Sequence, residues 1–207
     1  MINKKERVIF IQTKKEEMRN AIINAAEVEF FAKGFKNTSL RTIVKNARTT
    51  IGNFYNYFDN KEAVYSEIVD AEYKGFLHFL EHHENEEKLG QLVGLEELLS
   101  NQEVLFDIVK GVIPSLSTRF VILLECSEGT KYQESKNLLT EMIYEHYMEH
   151  VDNDQSMADF GKILSKQFID AVTSIIRNYH DNEDKMKELI VELILFYMLA
   201  ITHRSKS

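Results

Sequence analysis

Proline occurs once and glycine only eight times in 207 residues. So few breakers argue against many short strands joined by turns and favour long helices. Cysteine occurs once, as Cys126, which excludes an intramolecular disulfide framework. A reducing, cytoplasmic location is the expectation. No apolar run approaches the ~20 residues a bilayer requires. The longest, Leu193 to Ile201, reads as a buried helix, and no membrane partner is expected. Met1 to Lys5 begins with charge and lacks the sustained apolar core of an export signal. Tryptophan is absent, and nothing resembles a glycine-rich phosphate loop or a nucleophile elbow. Neither enzymatic activity nor a cofactor is expected.

The net charge of −8 at first argues against nucleic acid, but its distribution reverses that. Residues 1–62 hold 12 Lys and Arg against 7 Asp and Glu, a net +5; residues 63–207 hold 13 against 26, a net −13. A basic head on an acidic body suggests a DNA-facing domain over 1–62 and a separate helical domain over 63–207.

Helical signals fill the chain. Residues 1–12 read as a loose basic arm. Thr13-Lys-Lys-Glu16 reads as a capping box. A first helix follows to about Lys33, with an apolar stripe of Met18, Ile22, Ala25, Ala26 and Phe30, and Gly34 stops it. Thr38 and Ser39 open a second helix, and Leu40, Ile43, Val44 and Ala47 share one face of it. A short third segment spans Ile51 to Phe58. Asp59-Asn-Lys-Glu62 caps a fourth helix to about His83, and Glu84 to Lys88 reads as a loose connection. Further helices are expected over Leu89 to Leu99, Val104 to Ile113, Leu116 to Cys126, from a capping box at Thr130 to about Val151, Ala158 to Tyr179 and Asp184 to Thr202. The expected fold is all-α, with about nine or ten helices. An N-terminal three-helix helix-turn-helix precedes a helical body, and the boundary falls at or inside the fourth helix.

Two short helices joined by a tight turn, the second bearing polar and aromatic residues, are what a major groove accepts. Gly52 lets a backbone approach closely. Asn53 and Asn56 pair donors with acceptors, and Tyr55 and Tyr57 combine flat bodies with hydroxyls. Thr50 caps the recognition segment. Lys61 is a cation in a first helical turn, where the dipole disfavours it, which suggests a phosphate as its partner. Thr38, Ser39, Arg41, Arg48 and Ile51 complete the expected DNA-contact set.

The pattern Gly34-Phe35, Thr38-Ser39-Leu40-Arg41, Ile43, Ala47, Gly52-Asn-Phe-Tyr55-Asn-Tyr57-Phe58 and Lys61-Glu62 resembles the N-terminal signature of the TetR family. The upstream Ile22-Ile23-Asn-Ala25-Ala26 and Phe30-Phe31 match that family's first helix. The resemblance covers about residues 14–65 strongly. It implies phosphate contacts at Tyr55, Tyr57 and Lys61. Two positions depart: the family has Ala-Gly-Val-Ser where this chain has Ala47-Arg48-Thr49-Thr50. Arg48 replaces a glycine that eases the turn. Thr49 replaces an apolar plug of the module's core.

In the last two helices, Phe168, Val172 and Ile176, then Ile190, Leu193, Ile194, Tyr197, Met198 and Ile201, form stripes broad enough to need cover on more than one side. They read as a homodimer interface, as the resemblance also implies, and a two-fold dimer calls for a palindromic operator in double-stranded DNA. The resemblance further implies a small-molecule effector pocket in the middle helices. Its candidate lining is Phe106, Val109, Phe120, Leu124, Met142 and Tyr147, and an apolar or cationic effector suits a region without a basic cluster. A repressor released by its effector through a population shift is the expected mechanism. Control by a protein partner and activation are the alternatives. The histidine pairs His78/His82 and His146/His150 have metal-sharing spacing but read as solvated helix faces. Tyr147 follows His146 where a His-Glu-x-x-His site needs glutamate.

Overall fold

The computed structural model describes residues 4–90, 116–149 and 155–204. All the regular structure among them is helical. Helix α1 (Lys4–Asn37) starts well before the expected cap at Thr13. Its first turns are rich in lysine and glutamate and hold no breaker. Thr13 therefore lies inside a running helix, where the capping role disappears. The expected arm is helical from Lys4 onward. Gly34 does interrupt the helix: its φ of 77° and ψ of 163° lie in a region essentially restricted to glycine. The Thr38 hydroxyl closes the bend by donating to the carbonyls of Gly34 (2.8 Å) and Glu29 (3.1 Å).

Helix α2 (Leu40–Asn46) is capped by Ser39, whose oxygen accepts from the Thr42 amide at 3.1 Å. Helix α3 (Ile51–Phe54) is capped in the same way by Thr50, which accepts from the Asn53 amide at 3.1 Å. It is shorter than the expected 51–58. Residues 55–57 form a turn, tightened by i→i+3 bonds from the amides of Asn56 and Tyr57. Helix α4 (Lys61–Gly90) is capped by Asn60 rather than Asp59, the Asn60 side chain accepting from the Ala63 amide at 2.8 Å. It runs through 84–88, the expected loose connection. Glutamate and lysine are strong helix formers, and no glycine or proline lies between Gly75 and Gly90.

Helix α5 (Thr118–Glu125) carries five consecutive buried residues, Phe120 to Leu124. Thr130 shapes a turn rather than a helix start, and helix α6 (Ser135–Glu149) begins after it. Helices α7 (Gln155–Tyr179) and α8 (Glu183–Arg204) follow, with Asn182 capping the second. The helices expected over 91–99 and 104–113 lie outside the described residues.

Helix α5 is the hub, packing against α1, α4, α6 and α7. One cluster of buried side chains runs from Ile22 to Ile190. Tyr65 on α4 is fully buried within it, sets its ring edge-on to Phe30 and Phe35, and donates its hydroxyl to the Ile122 carbonyl at 2.8 Å. Burial raises its pKa above the ordinary tyrosine value. Around Gly34 the head is tied to the body directly. The Phe35 amide donates to the Cys126 carbonyl at 2.9 Å. Arg177 on α7 donates to the Phe31 carbonyl at 2.7 Å, pairs with Glu125 at 2.9 Å and lies over the Phe31 ring. Cys126 is buried beside it, and desolvation raises its thiol pKa.

Candidate nucleic-acid interface

The α2–α3 unit is held from below. Ile43, Val44, Ala47, Phe54 and Phe58 are buried, with Phe54 stacked at 5.7 Å on Phe58. Phe54 alone is a large hydrophobic anchor for a four-residue helix. Glu29, almost fully buried on α1, accepts from Asn46 at 2.9 Å and from Lys33 at 2.7 Å, which fixes the C-terminal end of α2. A buried carboxylate is tolerable only with such partners.

Above this base, Ser39, Arg41, Arg48, Thr50, Ile51, Gly52, Tyr55 and Asn56 are exposed. Tyr55 is 56% exposed despite its size. Asn53 and Tyr57 are half-buried, and Tyr57 packs against the core. Gly52 has no internal reason to be glycine: a Cβ there meets nothing within 4 Å. Arg48 takes a φ of 54°, the left-handed conformation a glycine would adopt at no steric cost. The turn is made despite the arginine, and its charge projects to solvent.

Two expected contact residues have other duties. Thr38 is buried at 3% exposure, and its hydroxyl is spent on the Gly34 bend, so it presents nothing outward. Lys61 donates to the carbonyls of Phe35 (2.6 Å) and Thr38 (2.8 Å), and its ammonium lies 4.1 Å from the centre of the Phe35 ring. In the free chain two donors of this cation are held by the carbonyls of Phe35 and Thr38. Desolvation lowers its pKa, and the two carbonyl acceptors offset that cost. Only the folded chain brings residues 35 and 61 together.

Thr49, absent from the expected set, accepts from the Asn53 side chain at 2.8 Å, and Asn53 in turn accepts from Asn56 at 3.1 Å. Position 49 is thus a hydrogen-bonding site as well as a half-buried one. The i, i+4 spacing of a threonine and an asparagine was its only sequence signal.

In the body, the expected interface and pocket residues are largely interior. Phe168, Val172, Ile176 and Ile190 are buried by the chain's own helices, so no second copy can cover them. Leu193, Ile194 and Tyr197 pack partly against the same core. Met198 and Ile201 fall in α8, with side chains outside the described set. A stripe's periodicity locates its covered face but not the neighbour that covers it. Among the described residues, the large apolar side chains exposed on α7 and α8 are Phe160, Ile163, Tyr179 and Phe196, with Ile163 at 59% and Phe196 at 67%. Among the pocket candidates, Phe120, Leu124 and Tyr147 are buried. Met142 is half-buried against the core. Phe106 and Val109 lie outside the described residues.

Residues 22–68 match the family profile described as bacterial regulatory proteins, tetR family. A protein of Bacillus subtilis (strain 168), named as the uncharacterized HTH-type transcriptional regulator YdgC, is 31% identical over 121 residues. That match takes in 58% of this chain and 55% of that protein, so the chain spans about half the length of its relative. Two solved structures align along most of the chain. NalD, the secondary repressor of the MexAB-OprM multidrug efflux pump in Pseudomonas aeruginosa, is 17% identical, with 88% of this chain and 96% of NalD covered and a TM-score of 0.40. A transcriptional regulator (TerR/AcrR family) from Aquifex aeolicus VF5 is 25% identical, with 86% and 99% covered and a TM-score of 0.39. With TM-scores below one half, these two leave the assignment resting on the head. The match over residues 22–68, which takes in the two capped helices and the glycine-ended first helix, makes the head of this chain similar to the tetR family of bacterial regulatory proteins.

Proposed function

We propose that the protein is a DNA-binding transcriptional regulator, acting as a homodimeric repressor on a palindromic operator and released by a small molecule. The observation that carries this reading is the polar, basic and aromatic surface formed by Arg48, Thr50, Gly52, Tyr55 and Asn56 over the buried anchors Phe54 and Phe58. A short, rigidly seated helix with an outward polar face fits a major groove. Arg41, Lys45 and Arg48 are exposed cations of the same unit and supply phosphate attraction. Self-association is supported by Phe160, Ile163 and Phe196, which leave apolar area on α7 and α8 uncovered. Release by an effector rests on the family resemblance alone.

The test is binding of the full chain to genomic fragments at two salt concentrations, beside a Tyr55→Ala variant. Selective retention of a palindromic fragment, steep loss with salt and failure of the variant are expected. A folded, ligand-free protein that retains no fragment at low salt would overturn the reading. Sedimentation of Phe196→Glu tests the dimer: a shift toward monomer is expected, and an unchanged dimer removes α8 from the interface.

A further inference from the structure

We infer that Thr49 is a positioning residue for base recognition: through Asn53 it orients Asn56, whose amide edge selects adenine in the major groove. The inference rests on the regulator reading above. A single hydrogen-bonded relay crosses the turn. The Thr49 amide donates to the Val44 carbonyl at 2.9 Å, which ties residue 49 to the last turns of α2. The Thr49 hydroxyl accepts from the Asn53 side-chain nitrogen at 2.8 Å. The Asn53 oxygen accepts from the Asn56 side-chain nitrogen at 3.1 Å. Backbone motion is restricted as well, because the Asn53 amide donates to the Thr50 hydroxyl oxygen.

The two asparagines therefore divide the work. Asn53 is half-buried, with both ends of its amide engaged. Asn56 is exposed and spends one N–H on the relay. Its oxygen and second N–H remain, one acceptor and one donor on a single planar group. That pair matches the N6 donor and N7 acceptor of adenine, and no other base offers both in the major groove. An amide that rotates freely reads this edge poorly, because ordering it on binding costs entropy. A residue without a hydroxyl at 49 leaves the Asn53 nitrogen without this partner and releases the whole relay.

The experiment is selection of bound duplexes from a random-sequence pool by the full chain, followed by sequencing. Wild type is run beside Asn56→Ala, Thr49→Val, Thr49→Ser and Asn53→Ala. Wild type is expected to enrich a palindrome with adenine at one position per half-site, preferred by about tenfold or more. Asn56→Ala brings that position to parity and leaves the others intact. Thr49→Val and Asn53→Ala weaken the preference at the same position several-fold, with the salt dependence of binding unchanged. Thr49→Ser, which keeps the hydroxyl, restores it. Should Thr49→Val misfold, Asn53→Ala tests the same relay from its middle. A wild type that enriches no sequence overturns the regulator reading together with the relay. A wild type that enriches a site in which Asn56→Ala changes nothing, or changes a position other than adenine, overturns the relay alone. An identical site from Thr49→Val and wild type removes Thr49 from recognition.

Discussion

The α2–α3 head and the α6–α7 pair are both helical, yet they are held in place by different forces. In the head, a few directed bonds set position: Ser39 and Thr50 cap, Thr38 closes the Gly34 bend, and Lys61 grips two carbonyls. Only a small apolar base of Phe54, Phe58 and their neighbours lies beneath. Between α6 and α7 close shape fit is added to a cross-helix ion pair, Lys136 to Asp170 at 2.7 Å. Gly161 on α7 admits the Tyr147 ring of α6 so closely that an added Cβ would stand 2.6 Å from it. Ser165, one turn along, is buried and donates back to the Gly161 carbonyl. The contrast teaches that a surface meant to meet another molecule is best fixed from behind by bonds of defined direction, which leaves its outer face free. A packing face has no such constraint and can be filled.

The largest expected effect breaks the head's one dependence on packing. Phe54→Ala removes its principal anchor and is expected to destabilise the protein by about 3–5 kcal/mol, read by urea denaturation. A loss below ~1 kcal/mol would show that the head does not need a core of its own. Next, Lys61→Met keeps the aliphatic stem but removes the ammonium from two carbonyl acceptors. A loss of about 1.5–3 kcal/mol is expected, the range for hydrogen bonds to charged groups. Stability equal to wild type would mean that the Gly34 bend holds without the cation.

Gly161→Ala sharpens the comparison from the body's side. Overpacking against the Tyr147 ring costs about 1–3 kcal/mol, and the better helix propensity of alanine returns up to ~1 kcal/mol. A net loss near 1 kcal/mol in thermal unfolding is expected, and a net gain would show that the two helices separate freely. Smallest is Arg48→Gly. Relief of the left-handed φ is expected to raise stability by about 1 kcal/mol, while operator affinity falls with the lost charge. A variant no more stable than wild type would mean the turn carries no strain at this position.

An alkaline limit follows from Tyr65. Its folded pKa is raised above the unfolded value of ~10. The stability it contributes is fully present below pH ~10 and is lost as pH rises toward the folded pKa. Tyr65→Phe is therefore expected to flatten the fall in stability above pH 10, measured by denaturation across that range.

Much of the head was legible from one sequence. The helix-turn-helix, the glycine stop and the caps at Ser39 and Thr50 all follow from short-range rules. Each depends on residues within four positions of one another, where spacing alone dictates contact. The misreadings share the opposite property. Thr13 looked like a cap because a local pattern carries no information on whether a helix is already running. That Lys61 donates to carbonyls 26 and 23 residues upstream was equally hidden. Phe168, Val172, Ile176 and Ile190 looked like an interface because an apolar stripe demands cover without naming what supplies it.

The sequence by itself determined that this chain is helical, that its basic first third differs from its acidic remainder and that a capped polar-aromatic segment follows a short second helix. Periodicity, capping chemistry and charge are local quantities, and they suffice for those conclusions. Tertiary structure alone decided which apolar faces are spent inside the chain, which cation is spent on backbone carbonyls and how Arg177 ties α7 to the end of α1. Those outcomes depend on which of many chemically equivalent partners comes within reach, and only the folded path of the chain selects one.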